Sequence, residues 1–209
     1  MSKSRGKRRR RRATQGGKQG AAVRRAPLLP RPQVLAALAV VALVAASAWW
    51  WYAGRQAEAI FLAHARRGEA ALSAVVRPPN EGRGHLEPGQ SVAYRSDPPT
   101  SGVHDPDWIR PGVYDSVQRR TKLVHALEHG LIVIYYDAPD AAAWNALTAW
   151  ADLFDAPWSG IVLAPKPGLG EELILTAWNR VFRLERFDAD AAAAFIDAYR
   201  GRGPEHPVR

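Results

Sequence analysis

The sequence predicts an α+β protein in which one N-terminal transmembrane helix precedes a single globular domain with a mixed sheet. Three observations carry this. Residues 1–57 hold thirteen Lys/Arg and no acid, and twelve of those bases stand before an uncharged apolar run over 34–53. Residues 131–136, Leu-Ile-Val-Ile-Tyr-Tyr, form a continuous β-type run of the sort buried on both faces of a sheet. From there on, helix-period and strand-like segments alternate in the order strand, helix, strand, strand, helix.

The formal net charge of +9 belongs to the N-terminal segment alone. The remaining 152 residues carry 16 bases against 20 acids, so no basic groove for specific nucleic-acid recognition is expected in the domain. The run Arg8 to Arg12 lies in a Gly- and Arg-rich tract that can bury nothing, and residues 1–32 read as a disordered cytoplasmic tail. Its expected partners are anionic lipid headgroups, with only nonspecific attraction to phosphates. The absence of cysteine excludes disulfides, thiolate metal ligands and cysteine nucleophiles.

Residues 33–53 are the expected transmembrane helix. The twenty residues of its apolar run, 34–53, rise about 30 Å, the thickness of a hydrocarbon core. Trp49, Trp50, Trp51 and Tyr52 gather at one end like an interfacial aromatic belt. The basic flank keeps the N-terminus in the cytoplasm, which places the C-terminal domain outside a bacterial cytoplasmic membrane as a single-pass protein. Ala46-Ser47-Ala48 resembles a signal-peptidase site, but cleavage there would leave the Trp triplet as an exposed new terminus, so the span reads as an uncleaved signal anchor. Residues 54–77, rich in Ala, Glu and Arg, read as a helical stalk with a short patch at Ile60, Phe61 and Leu62, and His64 as a solvated residue on it.

The domain is expected over 78–209. Its first part, 78–112, holds seven Pro and five Gly, too many for long regular elements, with a short strand expected around 91–94. Because it also carries His85, Tyr94, His104 and Trp108, it reads as an ordered, functional loop system. A short helix over 121–129 stops at Gly130, and the strand over 131–136 follows. Asp140 caps a helix to about Phe154 that presents Trp144, Leu147, Trp150 and Ala151 on one face. A strand is expected over 161–163, then one more over 172–184 or a pair, 172–178 and 181–184, broken at Asn179-Arg180, and Asp188 caps a last helix ending near Arg200. By element order alone this matches the second half of a thioredoxin-like sheet. Trp144, Trp150, Trp158 and Trp178 are expected in the core, while Trp108 pins the loop system or walls a site.

Chemistry concentrates in a 45-residue window that holds four of the six histidines. In His125-Ala126-Leu127-Glu128-His129 the two imidazoles are i and i+4 on one helix face and can share an ion, with Glu128 beside them as orienter, ligand or base. His104 ends the stiff approach Pro98-Pro99-Thr100-Ser101-Gly102-Val103, and His85 is a further candidate. Imidazoles without thiolates suit Zn(II) or Cu(II). The same five residues spell the inverted zinc-peptidase order His-x-x-Glu-His, but Gly130 cuts the helix short. No phosphate-cradling or dinucleotide loop occurs, and Ser101 lacks a nucleophile-elbow setting.

Pro98-Pro99-Thr100-Ser101-Gly102-x-His104, Trp108, Gly112-x-Tyr114, Leu123-Val124-His125-x-Leu127-Glu128-His129-Gly130, Thr176-Ala177-Trp178 and the closing Phe195 to Arg200 together resemble a bacterial membrane-anchored family of unknown function, DUF3105. The resemblance covers about residues 75–205. It implies a single span and an extracytoplasmic domain, and it brings no established catalytic residues. Val103 stands where that family commonly carries proline. Three readings follow for the domain: a metal-binding module holding copper or zinc on His104, His125, His129, Glu128 and His85; a noncatalytic interaction domain of the cell envelope; and a metal-assisted hydrolase. No catalytic residue is assigned.

Overall fold

The computed structural model describes residues 32–209. The basic tail and its expected lipid contacts lie on residues 1–31, outside the described part. Two compact units divide the chain at Ala45/Ala46. In the first, residues 32–45 are helical and exposed throughout. They begin α1, a continuous helix over Pro32–Arg67. Thirty-six residues make it about 54 Å long. Its most apolar window has a mean hydropathy of 2.1 with no residue buried, and it is the one helix among the described residues long and apolar enough to cross a membrane.

Within the second unit, 46–209, α1 continues without a break and then a 3₁₀ turn covers Glu69–Ala74. Part of the apolar patch of the expected stalk belongs to the domain core: Phe61 is in it and Leu62 packs against it, while Ile60 is exposed. Phe61 is fully buried, with its ring 5.4 Å from Trp150 and 4.8 Å from Phe154, both at steep T-shaped angles. His64 is not a merely solvated residue either. Its Nδ1 meets the Asp190 carboxylate at 2.5 Å, and Arg67 Nη2 reaches the same oxygen at 2.8 Å.

The remaining elements are β1 (Gly112–Val113), α2 (Arg120–Glu128), β2 (Ile132–Tyr136), α3 (Ala141–Leu153), β3 (Ile161–Pro165), β4 (Leu173–Ala177), β5 (Arg180–Leu184) and α4 (Ala189–Tyr199). They make a five-stranded mixed sheet in the order β1-β3-β2-β4-β5. β3 runs parallel to both β1 and β2, while β4 is antiparallel to β2 and to β5. Asp140 caps α3 by accepting from the Ala143 amide, and Asp188 caps α4 through the Asp190 and Ala191 amides. These carboxylates satisfy amides that would otherwise lack helical partners.

The unbroken apolar run of β2 is explained by cover on both faces. Ile132, Ile134 and Tyr136 point into a core with α3, α4 and the end of α1, alongside Leu163, Leu175 and Phe182. Val133 and Tyr135 point into a second core with Leu123, Ala126 and Leu127 of α2, and Val162 and Ile174 of the sheet. Residues 78–111 lie as ordered irregular chain, and no strand forms over 91–94. Instead the segment pairs with itself: the His104 amide donates to Gly84 O (2.9 Å) and the Leu86 amide to His104 O (2.7 Å), a parallel bridge between His85 and His104. Tyr94 Oη locks the same turn by donating to Val103 O at 2.8 Å.

Candidate metal centre

The centre is assembled from one helix and two loops. α2 lays Leu123, Ala126 and Leu127 on the sheet, which turns His125, Glu128 and His129 towards the irregular segment. All three are buried although polar, with exposures of 4%, 6% and 5%. The helix stops because Gly130 adopts φ +97°, where L side chains are strained, and a Cβ there would sit 2.8 Å from the Gly203 amide nitrogen. That close approach lets the C-terminal segment fold back over the end of α2. Gly201 N donates to Gly130 O at 2.8 Å, and Glu205 N reaches Glu128 O at 3.4 Å.

The Pro-rich segment delivers the other ligands. Gly102, at φ +114°, turns the chain so that His104 enters the interior with no exposed surface. His104 Nδ1 lies 2.9 Å from Gly102 O, and His125 Nδ1 lies 2.8 Å from Asp105 O. A carbonyl only accepts, so both rings carry a proton on Nδ1 and, when neutral, a bare lone pair on Nε2. The bridge between the loops sets His85 alongside. Ring centroids are 5.2 Å apart for His85–His104, 5.1 Å for His85–His125 and 4.7 Å for His104–His125.

Glu128 completes the group. Its Oε2 is 3.1 Å from His104 Nε2, out of line for a hydrogen bond, so that buried nitrogen has no hydrogen-bond partner. A tetrahedron with arms of 2.0–2.1 Å has edges of about 3.3 Å, close to that separation. The donor atoms of His85, His104, His125 and Glu128 all lie within 4.8 Å of one another, a set that can hold a metal ion. Four of the five expected site residues therefore meet.

His129 falls outside this first group and into an adjoining one. Its donor atom clusters with those of His125 and Glu205 inside the same 4.8 Å limit. Its Nε2 is 2.9 Å from Glu205 Oε2, and its buried Nδ1 has no hydrogen-bond partner. Trp158 stacks on the His129 ring at 4.1 Å, so this tryptophan packs on the site and not in either apolar core. Trp108 packs against the second core and also lies 4.5 Å from the His129 ring, both pinning the loop and walling the site.

Burial favours the neutral form of His125 and His129. Burial, chiefly, lowers the His129 pKa to about 4, with His125 adding to the shift and Glu205 opposing it. Burial likewise lowers that of His125, against the bond to Asp105 O. Neutral imidazoles with free lone pairs are the form that ligates metals.

Glu205 was not indicated by the sequence. It sits 77 residues beyond Glu128 in a Pro-flanked tail, and only its neighbour His206 marks the spot. No curated protein and no solved structure matches the chain. The family model described as "Protein of unknown function (DUF3105)" matches residues 85–209, more than half of the chain, starting at the exposed histidine of the centre and running past the tail that carries Glu205. The chain therefore belongs to the DUF3105 family.

Proposed function

We propose that this protein is a membrane-anchored module that binds one copper or zinc ion outside the cytoplasmic membrane, with His85, His104, His125 and Glu128 as ligands. The observation that carries the reading is the His104–Glu128 pair. With Nδ1 committed to Gly102 O, the Nε2 lone pair of a neutral His104 faces a buried carboxylate at 3.1 Å. Two acceptors so placed repel, and a cation between them removes the repulsion and satisfies both. The backbone carbonyls at Gly102 and Asp105 fix tautomer and ring direction, as outer partners of metal-bound histidines do. The donor set of three nitrogens and one carboxylate suits Zn(II) or Cu(II).

The scaffold fits a thioredoxin-like arrangement, with three parallel strands, β1, β3 and β2, followed by the antiparallel pair β4 and β5. The anchor is α1, and the basic residues before it orient the chain with its C-terminus outside. A competing reading, a noncatalytic interaction domain, is favoured by one feature. Protonated His104 would close an internal ion pair with Glu128 that locks the loop to α2. Calorimetric titration of full-length protein in detergent micelles with Zn(II) and Cu(II) separates the two. Metal binding predicts one ion per chain, lost in His125→Ala. The interaction reading predicts no stoichiometric ion and only a loss of stability in that variant.

A further inference from the structure

Two ligand groups share a single residue, and this has a consequence for how an ion is held. His125 belongs both to the set with His85, His104 and Glu128 and to the set with His129 and Glu205. Its Nδ1 is engaged at Asp105 O, so only Nε2 is left to ligate. One nitrogen lone pair binds one ion. The rings are also evenly spaced, with His125 4.7 Å from His104 and 4.6 Å from His129.

We infer that the centre is a two-station metal site, in which His125 Nε2 is the pivot and occupancy of the two stations is mutually exclusive. The inference rests on the metal-binding reading above. The first station offers three imidazoles and a carboxylate, the second two imidazoles and a carboxylate, so the ion rests in the first. The second is where it is received. Glu205 is 45% exposed at its side chain, whereas Glu128 is 8% exposed and His104 fully buried. Glu205 sits on the C-terminal segment that covers the end of α2, and His129 is held between Trp108 and Trp158 with an unpartnered Nδ1. An ion captured at Glu205 and His129 transfers by keeping its bond to His125 while exchanging its other ligands. No proton or electron is consumed, and the ion is never fully hydrated between stations. His85, the exposed member of the first station, is the ligand through which a partner can withdraw the ion.

The test uses full-length protein in detergent micelles with Cu(II) as probe, read by paramagnetic resonance and by stopped-flow Trp fluorescence. Wild type should bind one Cu(II) with three nitrogen ligands and refuse a second in excess metal. His85→Ala combined with His104→Ala strips the first station. It should still bind one Cu(II), through two nitrogens, with affinity reduced by more than the roughly 10–100-fold typical of losing an outer partner. Adding His129→Ala to that pair should abolish binding. His129→Ala or Glu205→Gln alone should keep the three-nitrogen spectrum and slow loading roughly tenfold, the scale of a lost capture site. Two ions bound at once to wild type would overturn the two-station inference, a result that needs no variant to fold. So would a folded double variant that binds nothing while wild type binds one ion, with loading rates indifferent to Glu205. Wild type that binds no Cu(II) at all would remove the metal reading itself, a distinct outcome.

Discussion

At the residue scale, the centre depends on polar groups placed where water cannot reach them. Replacing Glu128 by Gln keeps shape but removes the negative charge beside His104. Zn(II) affinity is then expected to fall by at least the roughly 10–100-fold seen for outer partners, measured by competition with a chelating dye. Gly130→Ala tests the local geometry. Forcing an L side chain to φ +97° costs about 1–2 kcal/mol, and the new Cβ crowds the Gly203 amide, so thermal melting should drop by several degrees. The His125/His129 spacing was legible because i and i+4 lie on one helix face whatever the rest of the chain does. The structure groups the His125 donor with those of His85, His104 and Glu128 and also with those of His129 and Glu205, so His104 and His129 fall in different groups. Glu205 was invisible because a contact made by chain return leaves no periodicity in the sequence.

At the element scale, α2 and its C-cap residue His129 carry two imidazoles whose pKa values lie below the ordinary value near 6.5. In the metal-free protein the unfolded chain takes up protons at those histidines before the folded chain does. Stability from this source is therefore complete above about 6.5 and is lost as pH falls towards 4, where His129 titrates in the fold. Thermal denaturation of the metal-free protein across that interval should show the decline, and His129→Gln should flatten it. A second element-scale expectation concerns α1. The Ala- and Glu-rich composition after residue 53 indicates a helix, which ends at Arg67, yet composition cannot say that Phe61 sits under Trp150 and Phe154. Phe61→Ala should cost about 3–5 kcal/mol as a core cavity, whereas a free stalk would lose almost nothing in the same denaturation experiment. The strand expected over 91–94 failed for a related reason. The segment is held by other contacts: Tyr94 Oη donates to Val103 O, and just beyond it the Arg95 and Ser96 amides donate to the Glu81 carboxylate.

For the whole molecule, the charge asymmetry and the element order were the legible parts. Bases crowd before α1, while the rest of the chain is mildly acidic. A phosphatase reporter fused to the C-terminus should be active and a fluorescent protein fused there dark, and the reverse pattern would invert the proposed orientation. Strands β2 and β3 and helices α2 to α4 follow from apolar runs, helical spacing and the Asp caps of α3 and α4, while 172–184, expected as one strand or a pair, is the pair β4 and β5. The pairing of β1 with β3 does not follow, since two residues, Gly112 and Val113, carry no periodicity. In the proposed function, the Pro-rich loop and α2 converge on one ion. X-ray absorption at the zinc edge of full-length protein loaded with one equivalent tests it most directly. A four-coordinate ion with imidazole scattering from three rings and one oxygen ligand at about 2.0–2.2 Å is expected. An all-oxygen, six-coordinate shell without imidazole scattering would contradict it.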